Sequence, residues 1–400
     1  MYYAMNRIRL KIKDVGMVKN GVTPSTKHLE YFNGDIVWLT PKDLSSQNVK
    51  YITKGERNIT EEGFNSCSTM LLPKGTILLT SRAPIGLLSI AATDLCTNQG
   101  FKNIVVDRNK ANNEFLYYYL KIQIRNIERL GDKTTFKEIT KDDLDNFEVI
   151  IPEKVCDQQK IAAVLSAIDS KIDLNNYINA ELEALAKTVY DYWFVQFGFP
   201  DKNGKPYKLS GGKMIWNAEL KREIPEGWDT ITIKQTLAKE SSTKKIQSSE
   251  IMQKGTIPVI DQSTDFIAGY TDDDESIIKV EDPRIIFGDH TRVLKLINFD
   301  FARGADGTQV MLSNNRRMPQ YLFYHMLLKI DLSNYGYARH YKFLKDQRII
   351  LPDEAVASTF NERVCKYYEL VKQNTFQNIE LSELRDWLLP MLMNGQVKVN

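Results

Sequence analysis

Two long stretches of heptad repeat dominate the sequence, and each follows a short apolar segment that ends in proline. The apolar segments are Val149–Pro152 and Ile349–Pro352, so their prolines are 200 residues apart. The stretches that follow, from about 158 to 194 and from about 358 to 389, place mainly apolar residues at alternating spacings of four and three. That spacing is typical of a coiled-coil seam. The 400-residue chain is therefore predicted to be a unit of about 200 residues used twice.

Both predicted seams carry two asparagines near their middle. The first seam comprises Ile161, Leu165, Ile168, Ile172, Asn175, Asn179, Leu182, Ala186, Val189 and Trp193. The second, 199 residues later, comprises Phe360, Val364, Tyr367, Val371, Asn374, Asn378 and Leu381. Asparagine in a seam lowers stability but sets the register of the helices. If the helices pair antiparallel about a pseudo-twofold axis, Asn175 faces Asn378 and Asn179 faces Asn374; otherwise these asparagines are solvated beside the seam.

The segment before each long helix has the pattern of a mixed α/β globule. Short apolar strands, separated by Gly, Pro and Asn, are predicted at 36–39, 76–79, 104–106, 257–260, 284–287 and 309–312. The predicted fold class is α+β, with two α/β domains separated by two long helices that pair as an antiparallel coiled coil. The predicted boundaries are 1–151 and 200–352 for the globules, with a polar connector over 200–227, and 152–199 and 353–400 for the helical spacers.

The distribution of charge favours different partners for globules and helices. The net charge of +2 excludes a chain that is basic throughout. Divided along the repeat, however, it is +4 for 1–151, −3 for 152–199, +3 for 200–352 and −2 for 353–400. Basic globules favour contact with an anion and acidic helices favour contact with protein, although ordinary solvated charge is the alternative interpretation.

Several classes of protein are not indicated by the sequence. Its four cysteines are widely spaced, without a C-x-x-C pair, and no H-E-x-x-H motif is present, so neither a disulfide scaffold nor a metal site is predicted. No apolar run reaches the length of a transmembrane helix, and the first residues lack the apolar region of a secretory signal. The predicted location is the cytoplasm.

Polar and basic loops recur at matching places in both halves. Their residue types are those that contact phosphates and base edges of DNA, so the recurrence favours DNA contact. Ordinary turn chemistry is the alternative for any single residue. The candidate DNA-binding residues are Thr23, Ser25, Lys27, Lys42, Ser81, Arg82, Gln99, Lys102, Lys133, Lys137, His290, Thr291, Arg292, Thr308, Arg339, His340 and Lys342.

A competing function is a stand-alone metal-dependent DNA nuclease. Asp201 follows a proline, and Glu219 and Lys221 complete a pattern in which carboxylates hold Mg²⁺ and a lysine assists an activated water. These residues lie in a Gly- and Pro-rich connector, whereas that chemistry needs a rigid core. A third alternative is a helical scaffold that binds only proteins. No methyltransferase motif accompanies these patterns, and no catalytic constellation is predicted.

The order of motifs resembles that of specificity (S) subunits of type I restriction–modification enzymes. The matching segments are 21–25 (GVTPS), 34–44 (GDIVWLTPKDL), 81–86 (SRAPIG), 158–162 (QQKIA), 224–228 (IPEGW), 287–292 (FGDHTR), 304–308 (GADGT) and 392–397 (LMNGQV). Together they cover almost the whole chain. One departure is that the I-P-x-G-W lead-in opens only the second globule. The first strand of the first globule is therefore expected to be shortened or anchored differently.

The resemblance implies a non-catalytic reader of double-stranded DNA. Each globule would be a target recognition domain that reads one half of an asymmetric bipartite site. The paired helices would set the spacing of the half-sites and dock two methyltransferase (modification) subunits, which bind S-adenosylmethionine and flip adenines. Restriction and translocase subunits that use ATP and Mg²⁺ would complete the complex. No cofactor is expected in this chain.

Overall fold

The two largest hydrophobic cores among the described residues each contain segments of both long helices. The computed structural model describes residues 6–133, 137–239, 243–336, 339–397 and 399. It divides into a first unit, residues 1–172 and 379–400, and a second unit, residues 173–378. The boundaries predicted at 151 and 352 fall at the starts of the helices, whereas the compact units divide each helix. The reason is that each helical segment buries side chains in the globular core beside it.

The first unit contains ten strands among its described residues and ends in the first half of a long helix. The strands are β1 (Arg7–Lys11), β2 (Gly16–Asn20), β3 (Phe32–Leu39), β4 (Tyr51–Ile52), β5 (Arg57–Ile59), β6 (Ile77–Ser81), β7 (Ile85–Ala91), β8 (Cys96–Thr97), β9 (Phe101–Val106) and β10 (Glu148–Pro152). The helices are α1 (Ile12–Val15), α2 (Pro41–Gln47), α3 (Glu61–Asn65), α4 (Asn113–Ile122), α5 (Ile124–Leu130), α6 (Lys141–Asp145) and α7 (Val155–Tyr190).

The second unit repeats this plan with shorter strands. Its described strands are β11 (Met214–Asn217), β12 (Arg222–Pro225), β13 (Asp229–Thr232), β14 (Ile257–Ile260), β15 (Gly269–Thr271), β16 (Ile277–Ile278), β17 (Arg284–Gly288), β18 (Leu294–Ile297), β19 (Phe301–Arg303), β20 (Thr308–Met311) and β21 (Arg348–Leu351). Its helices are α8 (Ile233–Thr236), α9 (Gln320–Leu327), α10 (His340–Asp346) and the first part of α11 (Glu354–Asn394), whose last turns belong to the first unit.

The central sheets of the two units correspond strand for strand. In the first unit β6 lies between β7 and β9, and in the second β17 lies between β18 and β20, with antiparallel pairing throughout. The first sheet is extended by β2 and β4 to five strands. A three-stranded sheet, β5-β3-β8, accompanies it, and the sheet β15-β14-β19-β16 accompanies the second. The predicted internal repeat is thus confirmed as a repeat of structure.

A two-stranded pair precedes each long helix. Strand β1 pairs antiparallel with β10 over five residues, and β13 pairs with β21 over four. The first strand of the first half is therefore not shortened, and it pairs with the strand before α7 as β13 pairs with the strand before α11. Ile8 and Leu10 of β1 and Val149 and Ile151 of β10 belong to the hydrophobic core of the first unit or pack against it.

The segment 200–227, predicted as a polar connector, folds onto the second core. It forms the hairpin β11–β12, and Ile224 within it is fully buried. Phe199 stacks between Tyr207, at a centroid distance of 4.7 Å, and Trp228, at 5.0 Å. The favourable burial of these aromatic rings offsets the conformational entropy that the segment loses when it becomes ordered.

The two long helices are slightly longer than the heptads predict, and they pack together. Helix α7 is followed by a π-helical turn, Asp191–Val195, which buries Trp193 and Phe194. Helix α11 ends where Arg7 donates hydrogen bonds to the carbonyl oxygens of Leu392, at 3.1 Å, and Met393. A cation at a helix C-terminus satisfies carbonyls that have no partner within the helix. In the described part of the chain, no helix is long and apolar enough to cross a bilayer.

Candidate nucleic-acid interface

Matching backbone hydrogen bonds bring polar loops together in each unit. In the first, the Ser81 amide donates to the Gly100 carbonyl at 2.8 Å, and in the second the Asp289 amide donates to the Gly307 carbonyl at 2.7 Å. Ser81 ends β6 and Asp289 follows β17, so the two residues hold equivalent positions at the end of the central strand.

In each unit a third loop donates a hydrogen bond to the carbonyl of that residue, Ser81 in the first unit and Asp289 in the second. The Ile139 amide donates to the Ser81 carbonyl at 3.0 Å, and the His340 amide donates to the Asp289 carbonyl at 3.0 Å. We call residues 81–85, 97–100 and 137–140 the first loop cluster, and residues 288–292, 304–307 and 339–340 the second loop cluster. Each cluster lies at one end of the central sheet of its own unit, where loops from several strands converge.

Three charged side chains meet in the first loop cluster. The buried Lys102 ammonium lies 3.3 Å from a Glu138 carboxylate oxygen and 3.5 Å from the Ser81 hydroxyl. An Arg82 guanidinium nitrogen lies 4.0 Å from the other Glu138 oxygen, and both of these side chains are close to 40% exposed. A buried cation therefore holds an accessible carboxylate at the surface of the cluster.

The other predicted contacts of the first unit with described side chains are exposed, apart from the half-buried Thr23, and several are paired. The Thr23 hydroxyl is hydrogen-bonded to the Gln99 side chain. Lys42 pairs with Glu56 at 2.7 Å, and Lys137 pairs with Asp132 at 2.7 Å. The hydrogen bonds to these carboxylates raise the pKa of both lysines. Ser25 and Lys27 are exposed in the loop after β2.

A cleft of about 1100 Å³ opens beside the first loop cluster. Four cations line it, namely Arg82, Arg125, Arg129 and Lys137, together with the carboxylates of Glu128, Asp132 and Glu138. Arg125 and Arg129 are exposed on α5, one helical turn apart, and neither has an ion pair among the described residues. The sequence patterns did not reveal them, although their spacing of four on a short helix could have signalled one basic face.

Gln262 connects two loops of the second cluster and was also missed. Its amide nitrogen donates to the Asp306 carbonyl at 3.0 Å, and its amide oxygen accepts from the His290 backbone at 3.2 Å. Its own carbonyl accepts from the Thr291 hydroxyl at 2.7 Å. Gly307, at φ +74°, leaves room for this amide, since a Cβ there would lie 2.7 Å from the Gln262 nitrogen. No local sequence signal marks such a long-range bond.

A buried lysine supports the second loop cluster from below. The Lys295 ammonium donates to the carbonyl of Asp261 at 2.9 Å and to that of Asp265. Burial lowers its pKa, against the opposing effect of the two aspartates. The loop that carries Gln262 is thereby attached to the central sheet at β18.

Four of the predicted DNA contacts have buried side chains. Ser81 and Lys102 lie inside the first cluster, and Thr308 is 1% exposed in β20. The two ring nitrogens of His340 lie 3.0 Å from the Asp289 carbonyl oxygen and 3.1 Å from the Tyr335 carbonyl oxygen, and a protonated ring nitrogen donates to the carbonyl it faces. Buried side chains are not accessible to DNA in this structure, and those of Ser81, Lys102 and His340 instead lie within hydrogen-bonding distance of other loop groups. Their polar residue types suggested DNA contact in the sequence. Their burial depends on tertiary packing, which residue type alone does not reveal.

The remaining predicted residues of the second unit are exposed. Arg292 adopts a left-handed conformation, at φ +62°, and donates to the Leu332 carbonyl at 3.3 Å. His290, Thr291, Arg339 and Lys342 are also exposed. The side chain of Lys133 and the adjoining predicted loop residues 134–136 and 337–338 lie outside the described residues.

The asparagines of the seam meet inside the second unit. Asn175 is fully buried, and its amide nitrogen donates to Asn378 and Gln377, each at 2.8 Å. Asn374 donates to Asn179 at 2.8 Å. Residue numbers rise along α7 as they fall along α11, so these helical segments are antiparallel. In the first unit Arg385 of α11 pairs with Asp169 of α7 at 3.0 Å.

Nothing in the structure supports the nuclease alternative. The Asp201 carboxylate accepts from the backbone of Asn203 and Lys205, each at 2.8 Å, and forms a turn. Glu219 pairs with Arg348 at 2.8 Å on an exposed surface. Across the described residues no group of three His, Cys, Asp or Glu side chains is placed to hold a metal ion. Lys221 belongs to the turn after Glu219, so the three residues do not form a metal site.

Known proteins are similar to this chain in sequence and in fold. The family described as "Type I restriction modification DNA specificity domain" matches residues 9–184. The type I restriction enzyme MjaIX specificity subunit of Methanocaldococcus jannaschii is 34% identical and covers 97% of this chain and 93% of its own. The HindI specificity subunit of Haemophilus influenzae is 24% identical and covers 66% and 72%.

A solved structure supports the fold independently of sequence. The S subunit of the type I restriction–modification system from M. genitalium superposes with a TM-score of 0.61 over 98% of this chain and 97% of that chain, at 17% identity. This likeness confirms the α+β fold with long helices. Together with the identity shared along nearly the whole of both chains with the M. jannaschii protein, it establishes that this chain belongs to the family of DNA specificity subunits of type I restriction–modification systems.

Proposed function

We propose that each unit reads one half of an asymmetric, bipartite site on double-stranded DNA. The observation that carries this proposal is the pair of loop clusters, which share one framework of backbone hydrogen bonds. The side chains on that framework differ: Arg82 and Glu138 occupy the first cluster where His290 and Arg339 occupy the second. Two readers of one design with different side chains recognise different base sequences.

Phosphate contacts on the first unit come from the cleft beside its loop cluster. Arg125 and Arg129 have no carboxylate partner among the described residues, so phosphate binding does not require an existing ion pair to break. Arg82 and Lys137 extend this basic face toward the loops. Such contacts orient the protein on the duplex, whereas base contacts select the sequence. Ser25, Lys27 and Lys42 lie on the exposed loops of the same unit and are further candidates.

The paired helices separate the half-sites and dock two modification subunits. Support comes from their acidic net charge and from large apolar side chains left exposed on them. In the second unit Leu174 is 51% exposed and Tyr177 is 64% exposed, one helical turn apart on α7. In the first unit Trp387 of α11 is 56% exposed. Apolar side chains of this size on a helix surface favour protein partners.

Catalysis is assigned to partner subunits rather than to this chain. We propose that the modification subunits bind S-adenosylmethionine and that restriction and translocase subunits use ATP and Mg²⁺. Membership of the specificity-subunit family supports this division of roles. Genomic DNA as the substrate implies that the complex operates in the cytoplasm.

Mapping methylated bases in a host that expresses this chain with its modification subunits tests the proposal. The expected result is a split motif whose two halves differ and are separated by unspecified bases. We expect Arg82→Ala and Arg292→Ala to weaken DNA binding by the assembled complex. A palindromic or continuous motif, or full binding by both variants, would contradict it. Arg108→Ala serves as the matched control, because Arg108 follows β9 at the end opposite the loop cluster.

A further inference from the structure

The two loop clusters present opposite charges at one equivalent position. Glu138 directly precedes Ile139, whose amide binds the Ser81 carbonyl, and Arg339 directly precedes His340, whose amide binds the Asp289 carbonyl. Ser81 and Asp289 are themselves equivalent through their bonds to Gly100 and Gly307. The backbone framework therefore matches Glu138 with Arg339, at an offset of 201 residues, one more than the 200 that relates Pro152 to Pro352.

The carboxylate of Glu138 is held in place rather than free. Lys102, whose side chain is 8% exposed, approaches one carboxylate oxygen at 3.3 Å, and Arg82 lies 4.0 Å from the other. The Glu138 side chain remains 38% exposed, and it lines the cleft that also contains Arg125 and Arg129. Glu128 and Asp132 line the same cleft, and what distinguishes Glu138 from them is that a buried cation holds its carboxylate in place. A fixed carboxylate at this place is better suited to accept hydrogen bonds from a base.

Arg339 has the complementary chemistry. It is exposed at the N-terminal end of α10 and has no side-chain partner among the described residues. Carboxylates accept from the exocyclic amino group of cytosine in the major groove, and guanidinium groups donate to O6 and N7 of guanine. The same framework thus presents an acceptor in one unit and a donor in the other.

We propose that Glu138 and Arg339 are equivalent base-reading residues. Glu138 selects a base with an exocyclic amino group, cytosine above all, in one half-site, and Arg339 selects guanine in the other. This inference rests on the proposed function and adds the residues that distinguish the two half-sites.

Base substitutions in the target site, combined with charge-neutral variants of both residues, test this assignment. We expect Glu138→Gln to relax the preference at one position of one half-site by about tenfold or more, the usual worth of a good base contact. Arg339→Gln should relax one position of the other half-site by a similar factor. Both effects are measured by methylation mapping in cells and by competition binding of the assembled complex. Arg108→Gln, at the far end of β9, should leave every position unchanged.

The two variants also separate reading from folding. Glu138→Gln removes the counter-ion of Lys102, so its thermal midpoint is measured beside that of Arg339→Gln, which breaks no described contact. An unchanged motif in both variants would overturn the inference, and so would a uniform loss of affinity for all sequences. A palindromic or continuous wild-type motif would instead refute the proposed function. A relaxed base preference at a single position can be measured whether or not the wild-type motif is split.

Discussion

The hydrogen bond between Asn175 and Asn378 should contribute measurably to helix pairing in the second unit. Asn175 is fully buried and donates two hydrogen bonds of 2.8 Å. Asn378 accepts one of them and donates a third, to Asn176, at 2.8 Å. At a net value of about 1 kcal/mol per hydrogen bond, Asn378→Ala loses two bonds and about 2 kcal/mol, whereas Asn175→Ala loses less, because it also removes a buried amide oxygen that has no partner among the described residues.

A double-mutant cycle isolates the shared bond. Asn175→Ala with Asn378→Ala should cost about 1 kcal/mol less than the sum of the single variants, because the bond between them is removed only once. Asn175→Ala with Asn374→Ala is the control, since Asn374 bonds to Asn179 instead. Its coupling should stay below about 0.5 kcal/mol.

Hydrogen exchange measured by mass spectrometry is the suitable assay. A chain with two compact units does not unfold in one step, so the free energy must be read from peptides of the paired helices. Peptides that cover 173–182 and 371–380 report the opening of this part of the seam. Zero coupling between Asn175 and Asn378 in these peptides would refute the view that their bond stabilises the register.

Two further predictions concern pH and salt. Burial lowers the pKa of His325 from its ordinary 6.5 to about 4, so the second unit is fully stabilised above pH 6.5 and should lose about 3 kcal/mol as pH falls toward 4, at about 1.4 kcal/mol per pKa unit. The thermal midpoint of His325→Phe should fall less steeply with decreasing pH than that of wild type, whereas His290→Phe, on an exposed loop, should behave like wild type. Equal pH dependence of the thermal midpoint in wild type and both variants would contradict this. In the assembled complex, Arg125→Ala plus Arg129→Ala should weaken binding to all DNA sequences alike and flatten the dependence of log K on log salt by about 0.9 for each phosphate that is no longer neutralised, with Arg108→Ala unchanged. A changed sequence preference with an unchanged salt dependence would show that these arginines do not bind phosphate.

Periodic features of the sequence predicted the helical part of this protein. The heptads located α7 and α11 to within a few residues, because helix geometry repeats every 3.6 residues and depends only on near neighbours. The offset of 199 residues between the seams also placed Asn175 opposite Asn378 and Asn179 opposite Asn374, and both pairs are hydrogen-bonded. Symmetry in the sequence was sufficient there, since antiparallel pairing about the midpoint allows one register.

Non-local contacts decided the rest. Lys102 and His340 have the residue types of DNA contacts, yet the fold buries both. The connector over 200–227 folds onto the second core because Phe199 stacks on Trp228, a contact that no local sequence pattern indicates.

The sequence by itself determined a repeated chain with two paired helices and polar loops in each half, because these features follow from periodicity and local turn chemistry. Only the tertiary structure decided which loop side chains reach the surface and which positions of the two halves correspond. The match of Glu138 with Arg339 rests on hydrogen bonds to Ser81 and Asp289, residues more than 50 positions earlier in the chain. Bonds of that range leave no periodic trace in a sequence, because the chain between their ends can vary freely in length and composition.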